Sequence, residues 1–220
     1  MKLSIIYILI IVLFFSCTEN EQSIPAKSDE TALINKNINA EAFFFPADSL
    51  IPYIYVYQEE SNPIDEKFYR IYRLQNNQDT SLVVERFNAN FTITEGFTHD
   101  LKDSLKVKEY MIVDKDGIKR TAEVLSNQTF PMLMSEKAYF VAHFPAHVDS
   151  LTMIYESKRN IVSTDLKKKV MGEKVDVIKV VDSLNVHLVD KNTKRSNTKK
   201  VVTNRYYAKG LGLIEWGSDE

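Results

Sequence analysis

Apolar residues recur at every second position through most of the chain after Phe43, the spacing that sends successive side chains to opposite faces of a β-strand. Tyr53, Tyr55 and Tyr57 alternate with Ile54 and Val56, and Phe68, Tyr72 and Leu74 alternate with Tyr69, Ile71 and Arg73. A polar turn over Asn76 to Thr80 leads into runs at Leu82 to Phe87 and Phe91 to Thr94. Asp114-Lys115-Asp116-Gly117 separates the extended runs Leu105 to Val113 and Ile118 to Leu125, which predicts a tight hairpin. Further strands are expected at Ala138 to Phe144, Leu151 to Ser157, Val175 to Val181, Val186 to Val189, Val201 to Ala208 and Gly212 to Trp216. Helical periodicity is scarce, so the pattern predicts a mainly β fold, an antiparallel sheet of eight or more strands linked mainly by hairpins.

The pattern before Phe43 is different. Lys2 precedes thirteen residues, Leu3 to Phe15, that are apolar except for Ser4 and Tyr7. That run is too short for a bilayer span of about 20 residues but suits the apolar region of a secretory signal. Phe14-Phe15-Ser16-Cys17 ends it, and this close resembles a bacterial lipoprotein signal, in which the cysteine is acylated and becomes the first mature residue. The resemblance implies cleavage before Cys17 and a lipid anchor in the cell envelope. Residues 18–40 are polar and contain no aromatic residue, a composition that buries too little apolar surface to fold and reads as a tether, although the spacing allows a helix over Glu30 to Ala42. The expected organisation is a signal peptide over 1–16, an acylated cysteine and flexible tether over 17–40, and an antiparallel β domain over 41–220.

Cys17 is the only cysteine, so with its sulfur committed to lipid the chain has no internal disulfide, thiol nucleophile or cysteine-based zinc site. Stability has to come from a core, which a 44% apolar composition can supply. With 28 basic and 30 acidic residues there is no field to attract nucleic acid. Six glycines form neither a phosphate-binding loop nor a nucleophile elbow, and no cofactor is implied.

Candidate metal chemistry is thin. His143 and His147 flank Pro145, which opposes the helix that would bring them together; His187 stands alone in a strand, and His99 follows a threonine in an expected turn. Asp114, Asp116 and Gly117 do not match the spacing of a calcium-binding EF-hand loop. Carboxylates are scattered, no catalytic residue is assigned, and a carboxylate-based hydrolase is the only enzymatic alternative. Lys191, Lys194, Arg195, Lys199 and Lys200 lie between two strand-like runs, as a solvated hairpin tip or as a contact for an anionic surface or an acidic partner.

Asp-Ser-Leu occurs four times, beginning at Asp48, Asp103, Asp149 and Asp182. It resembles the acceptor motif for O-linked glycosylation of exported Bacteroidota proteins, which would place glycans on Ser49, Ser104, Ser150 and Ser183. Asp and Ser also form turns through their own backbone, so each site is equally expected to be a turn or strand start.

Phe44-Phe45-Pro46 followed by the aromatic strand at Tyr53 to Tyr57, and the close Tyr206-Tyr207-Ala208-Lys209-Gly210-Leu211-Gly212-Leu213, resemble the two ends of a group of uncharacterised Bacteroidota lipoproteins. Those proteins are similar to the curved antiparallel half-barrels of the lipoprotein carrier and receptor class, LolA and LolB. The resemblance implies a single curved sheet, a half-barrel or open barrel, anchored at the outer membrane on its periplasmic or surface face. It also implies a non-enzymatic binding or carrier module for an apolar ligand or lipoprotein. A structural subunit of an envelope complex, meeting a protein partner, is the alternative. Independently of any family, Gly210 and Gly212 are expected to bend the chain so that Leu213, Ile214 and Trp216 re-enter the sheet.

Overall fold

A computed structural model describes residues 40–44, 52–58, 66–76, 79–102, 105–114, 116–145 and 150–218. Cys17, the tether up to residue 39, Ser49, Ser104 and His147 lie outside them, as does most of the helix allowed over 30–42. The fold is mainly β and antiparallel, as the alternation predicts, and its sheets are open. Among the described residues, a short helix, α1 (Ala40–Phe44), precedes twelve strands.

The strands divide into two six-stranded sheets rather than running as one continuous hydrogen-bonded sheet. The first contains β1 (Tyr53–Gln58), β2 (Glu66–Asn76), β3 (Asp79–Phe87), β4 (Ile93–Asp100), β5 (Lys106–Val113) and β6 (Lys119–Thr121), in chain order. The second contains β7 (Glu123–Asn127), β8 (Lys137–Pro145), β9 (Leu151–Val170), β10 (Glu173–Asp190), β11 (Ser196–Ala208) and β12 (Gly212–Gly217), also paired in sequence. Strands consecutive in the chain are antiparallel neighbours within each sheet, so each sheet is a meander.

The division falls inside the run expected over Ile118 to Leu125. Ala122 separates β6 from β7, and its N–H donates to the Tyr110 carbonyl at 2.8 Å while the strand changes sheets. An isolated bridge between Lys106 and Gln128 ties the sheets together beside this crossing. The preceding hairpin is as expected: Asp114 Oδ1 accepts from the Asp116 and Ile118 N–H groups, Gly117 takes φ 78°, and Arg120 pairs with Asp114 at 2.8 Å.

Inward residues of the two sheets form one interior. In the first sheet a row of directly paired positions, Ile71, Val84, Phe97 and Tyr110, crosses four strands. In the second, Phe140, Ala142, Ile161, Ile178, Val180 and Tyr207 are buried. Phe44 of α1 inserts between the sheets, with its ring 5.2 Å from His99, 5.0 Å from Phe130 and 6.3 Å from Tyr207. The helix is held from below by Gly210, whose N–H donates to the Ala42 carbonyl at 2.6 Å. Gly210 and Gly212 both have positive φ, at 77° and 85°, and form the expected turn into β12, where Leu213 is buried and Ile214 and Trp216 are half-buried.

Two expectations change. The runs at Val175 to Val181 and Val186 to Val189 are one strand, β10, and Asp182-Ser183 lies in its middle rather than at a turn. His99 is not in a turn but in β4, 2% exposed. Beyond Asn160, β9 pairs with β10 alone, and once β10 has left β11 at Val177 the pair runs on as a two-stranded ribbon whose tip, Met171 and Gly172, turns through φ values of 50° and 92°.

Candidate functional site

Between the sheets lies a cavity of about 410 Å³, within the range of roughly 300–1,000 Å³ typical of small-molecule sites. It lies where the row of inward positions next to the Ile71–Tyr110 row brings in the charged pair Arg86 and Glu95. In the first sheet this row reads Tyr55, Tyr69, Arg86, Glu95 and Ile112, each paired with the next. The second sheet contributes Arg159 and Asp182, directly paired on β9 and β10, and Arg205 on β11. Rigid strands hold all of these, so their positions do not depend on loops.

The charges are arranged in two groups. Arg86 pairs with Glu95 at 3.0 Å, and the Tyr110 hydroxyl donates to Glu95 at 2.6 Å. Burial pushes the Tyr110 phenol well above its ordinary range, and the Glu95 charge adds to the effect. Across the cavity Asp182, 1% exposed, receives Arg159 Nε at 2.9 Å and the Ser157 hydroxyl at 2.7 Å, with Arg205 Nε at 3.0 Å. Burial alone would raise the Asp182 carboxyl; the Arg159 and Arg205 charges and the Ser157 hydrogen bond more than reverse this and leave it below the usual carboxylate range. Arg159 also donates to the Thr129 carbonyl at 2.9 Å, which fixes its guanidinium.

Arg205 is less well served. Its Nε is buried and, despite its closeness to Asp182, makes no hydrogen bond; the Thr129 hydroxyl, on the same cavity wall, is also buried without a partner. Leaving such groups unsatisfied costs about 1–3 kcal/mol each. Three guanidiniums meet two carboxylates here, Asp182 being shared by Arg159 and Arg205, so cations outnumber anions by one around the cavity.

His99 forms part of the wall. Its Nδ1 lies 3.1 Å from the Leu105 carbonyl, which can only accept, so Nδ1 carries the hydrogen. Burial drives its pKa down to about 4, against the Leu105 hydrogen bond and with help from the Arg159 charge. The imidazole is therefore neutral at pH 7. Leu184, Val186 and Met153 supply an apolar stretch of the lining toward the β10–β11 hairpin.

The residues singled out by sequence fall mostly elsewhere. Lys191, Lys194, Arg195, Lys199 and Lys200 are exposed on that hairpin and at the start of β11, which continue the end of the second sheet where Val186 and Met153 line the cavity. Ser150 stands in the turn before β9, as expected of an Asp-Ser-Leu site, whereas Ser183 is half-buried in mid-strand. His187 is a half-exposed strand residue bonded to the Thr198 hydroxyl at 2.8 Å. Gly210 and Gly212 act through α1, which delivers Phe44 to the cavity floor. Sequence reading missed Arg86, Arg159 and Arg205. The available signal was phase: Arg86 shares the period-two face of Leu82 and Val84, Arg159 that of Ile161, and Arg205 that of Tyr207.

No protein-family model, curated protein or solved structure matches the chain.

Proposed function

We propose that this is a lipid-anchored protein of the bacterial cell envelope whose β domain binds or carries an apolar ligand or lipoprotein without catalysing a reaction. The observation that supports it is the 410 Å³ cavity between the sheets, where aromatic and aliphatic side chains line the wall beside the charged groups and Phe44 closes it below. A domain needing only a core would fill that space, since interiors pack to crystal-like density and inward charges are costly. Acylated Cys17 would hold the domain at the outer membrane on a tether of residues 18–40, and the basic residues from Lys191 to Lys200 would meet an anionic surface or partner near the cavity.

The test is native mass spectrometry of the whole protein purified from its own envelope in a non-ionic detergent. A non-covalent adduct lost on denaturation, distinct from acyl chains that remain attached, is the expected result. A protein that carries only covalent lipid, whatever the growth stage, would overturn the carrier reading. A structural subunit of an envelope complex is supported by a different observation: Ile54 and Val56 are 69% and 52% exposed on β1, an edge strand of the first sheet. Crosslinking from those two positions in intact cells separates the readings.

A further inference from the structure

The cavity's charge distribution narrows the class of ligand, and this inference rests on the carrier reading above. We infer that the ligand is an amphiphile with a singly charged acidic head group, a carboxylate or a sulfate monoester, whose head sits on Arg205 and Thr129 and whose apolar body lies along Leu184, Val186 and Met153.

Three features point to this chemistry. The first is the surplus cation: Glu95 accounts for Arg86, while Asp182 is shared by Arg159 and Arg205. A ligand bearing one negative charge would match the three guanidiniums with three anions, whereas a neutral one would leave Asp182 divided between Arg159 and Arg205. Second, Arg205 Nε and Thr129 Oγ1 are both buried on this cavity without hydrogen-bond partners. An acid oxygen accepts from both types of group, and a guanidinium binds such oxygens through parallel N–H donors. The third is the apolar stretch beside them, which matches a hydrocarbon body and gives nothing to a small inorganic anion.

The inference also separates the two ligands left open above. The acyl chains of a lipoprotein end in ester and amide groups, which carry no charge and leave Arg205 sharing Asp182 with Arg159, its Nε without a hydrogen bond. A free acidic amphiphile satisfies it. The exposed basic residues from Lys191 to Lys200 lie at the end of the second sheet nearest this apolar stretch, where they would raise the local concentration of an anionic ligand at low ionic strength.

The experiment uses the whole protein in native mass spectrometry, titrated in parallel with dodecanoate and with 1-dodecanol, which differ in the head group alone. Dodecanoate is expected to bind about tenfold to hundredfold more tightly than the alcohol, in keeping with a charge-assisted hydrogen bond, and Arg205→Gln to abolish the difference. Equal binding of acid and alcohol would overturn the head-group inference while leaving the carrier reading intact. Binding of neither, with no adduct from the native envelope, would overturn both. If Arg205→Gln fails to fold, Thr129→Val takes its place: a smaller acid preference than in the wild type supports the inference, and an unchanged one removes Thr129 from it. The wild-type comparison of acid and alcohol is decisive without either variant.

Discussion

The hydroxyl of Tyr57 donates to the carbonyl of Leu213 at 2.6 Å, joining the first strand of one sheet to the last strand of the other. The Tyr57 ring also meets Trp216 edge-on, with centroids 4.8 Å apart. On the opposite side the chain itself crosses between sheets at Ala122, so Tyr57 is a clasp facing a covalent hinge. Tyr57→Phe keeps the ring and removes the hydrogen bond. We expect a loss of about 1 kcal/mol in urea unfolding, with faster amide exchange in β1 and β12 and little change in β8 and β9. Uniform exchange rates across all strands would show that the bond does not hold the open side.

The Asp182 carboxylate supports two arginines at once. Asp182→Asn keeps the shape but leaves Arg159 and Arg205 without their counterion, and the expected destabilisation is about 3–5 kcal/mol. Adding Arg205→Gln should recover part of that loss, because one of the stranded charges is then gone. A double variant as unstable as the sum of the two single changes would show that the charges do not interact.

His99 gives the fold a pH dependence whose sign follows from its burial. The folded pKa is about 4 and the ordinary value is 6.5, so between these pH values the unfolded chain binds the extra proton. Stability from this group is fully present above about pH 6.5 and is lost as the pH falls toward 4, by up to about 3 kcal/mol. Urea unfolding at pH 4.5 and pH 7.5 should show a smaller difference in His99→Gln than in the wild type. Equal differences would assign the acid sensitivity to other groups. The depressed Asp182 carboxyl acts with the same sign but below the ordinary carboxylate pKa of 3.8, which leaves the upper window to His99.

Gly210 tests the turn beneath α1. A Cβ added there meets nothing within 4 Å, so the cost of Gly210→Val is backbone strain at φ +77°, about 1–2 kcal/mol or more for a β-branched residue. Gly210→Asn, which tolerates that region, should restore most of the loss. Unchanged thermal stability in the valine variant would remove the bend from the account.

Cys17→Ala tests the anchor. The variant should lack lipid and leave the membrane fraction, as shown by metabolic acyl labelling and flotation. A variant that still floats and incorporates label would refute acylation at Cys17.

Much of the strand pattern was legible because each sheet has one buried face, which imposes period-two alternation, and because Asp114 to Gly117 and Gly210 to Gly212 are turn-forming in any context. The boundary between sheets was not, since Ala122 is an apolar-compatible residue in an otherwise extended run and the change of partner involves no turn. Asp182-Ser183 misled for a physical reason. These residues favour turns locally, but Arg159 and Arg205, which lie 23 residues away in sequence on either side, neutralise the aspartate inside a strand. His99 was misplaced likewise, because a half-polar stretch gives no sign that Phe44 and Phe97 will enclose it. The site as a whole depends on pairing between distant strands, and no local window contains it.

The ribbon at the far end of β9 and β10 has a consequence for how copies of the protein meet. From Ile161 to Val170 the outer edge of β9 has no strand partner among the described residues, so its amides and carbonyls form a template on which another chain could extend the sheet. Lys167, Lys168 and Lys169 follow one another there on alternating faces, Lys167 paired with Asp176 and Lys168 with Glu215, so an approaching strand meets charged side chains on either side. Desolvating those groups opposes sheet extension between copies, so the lysines guard against aggregation at the point where the backbone invites it.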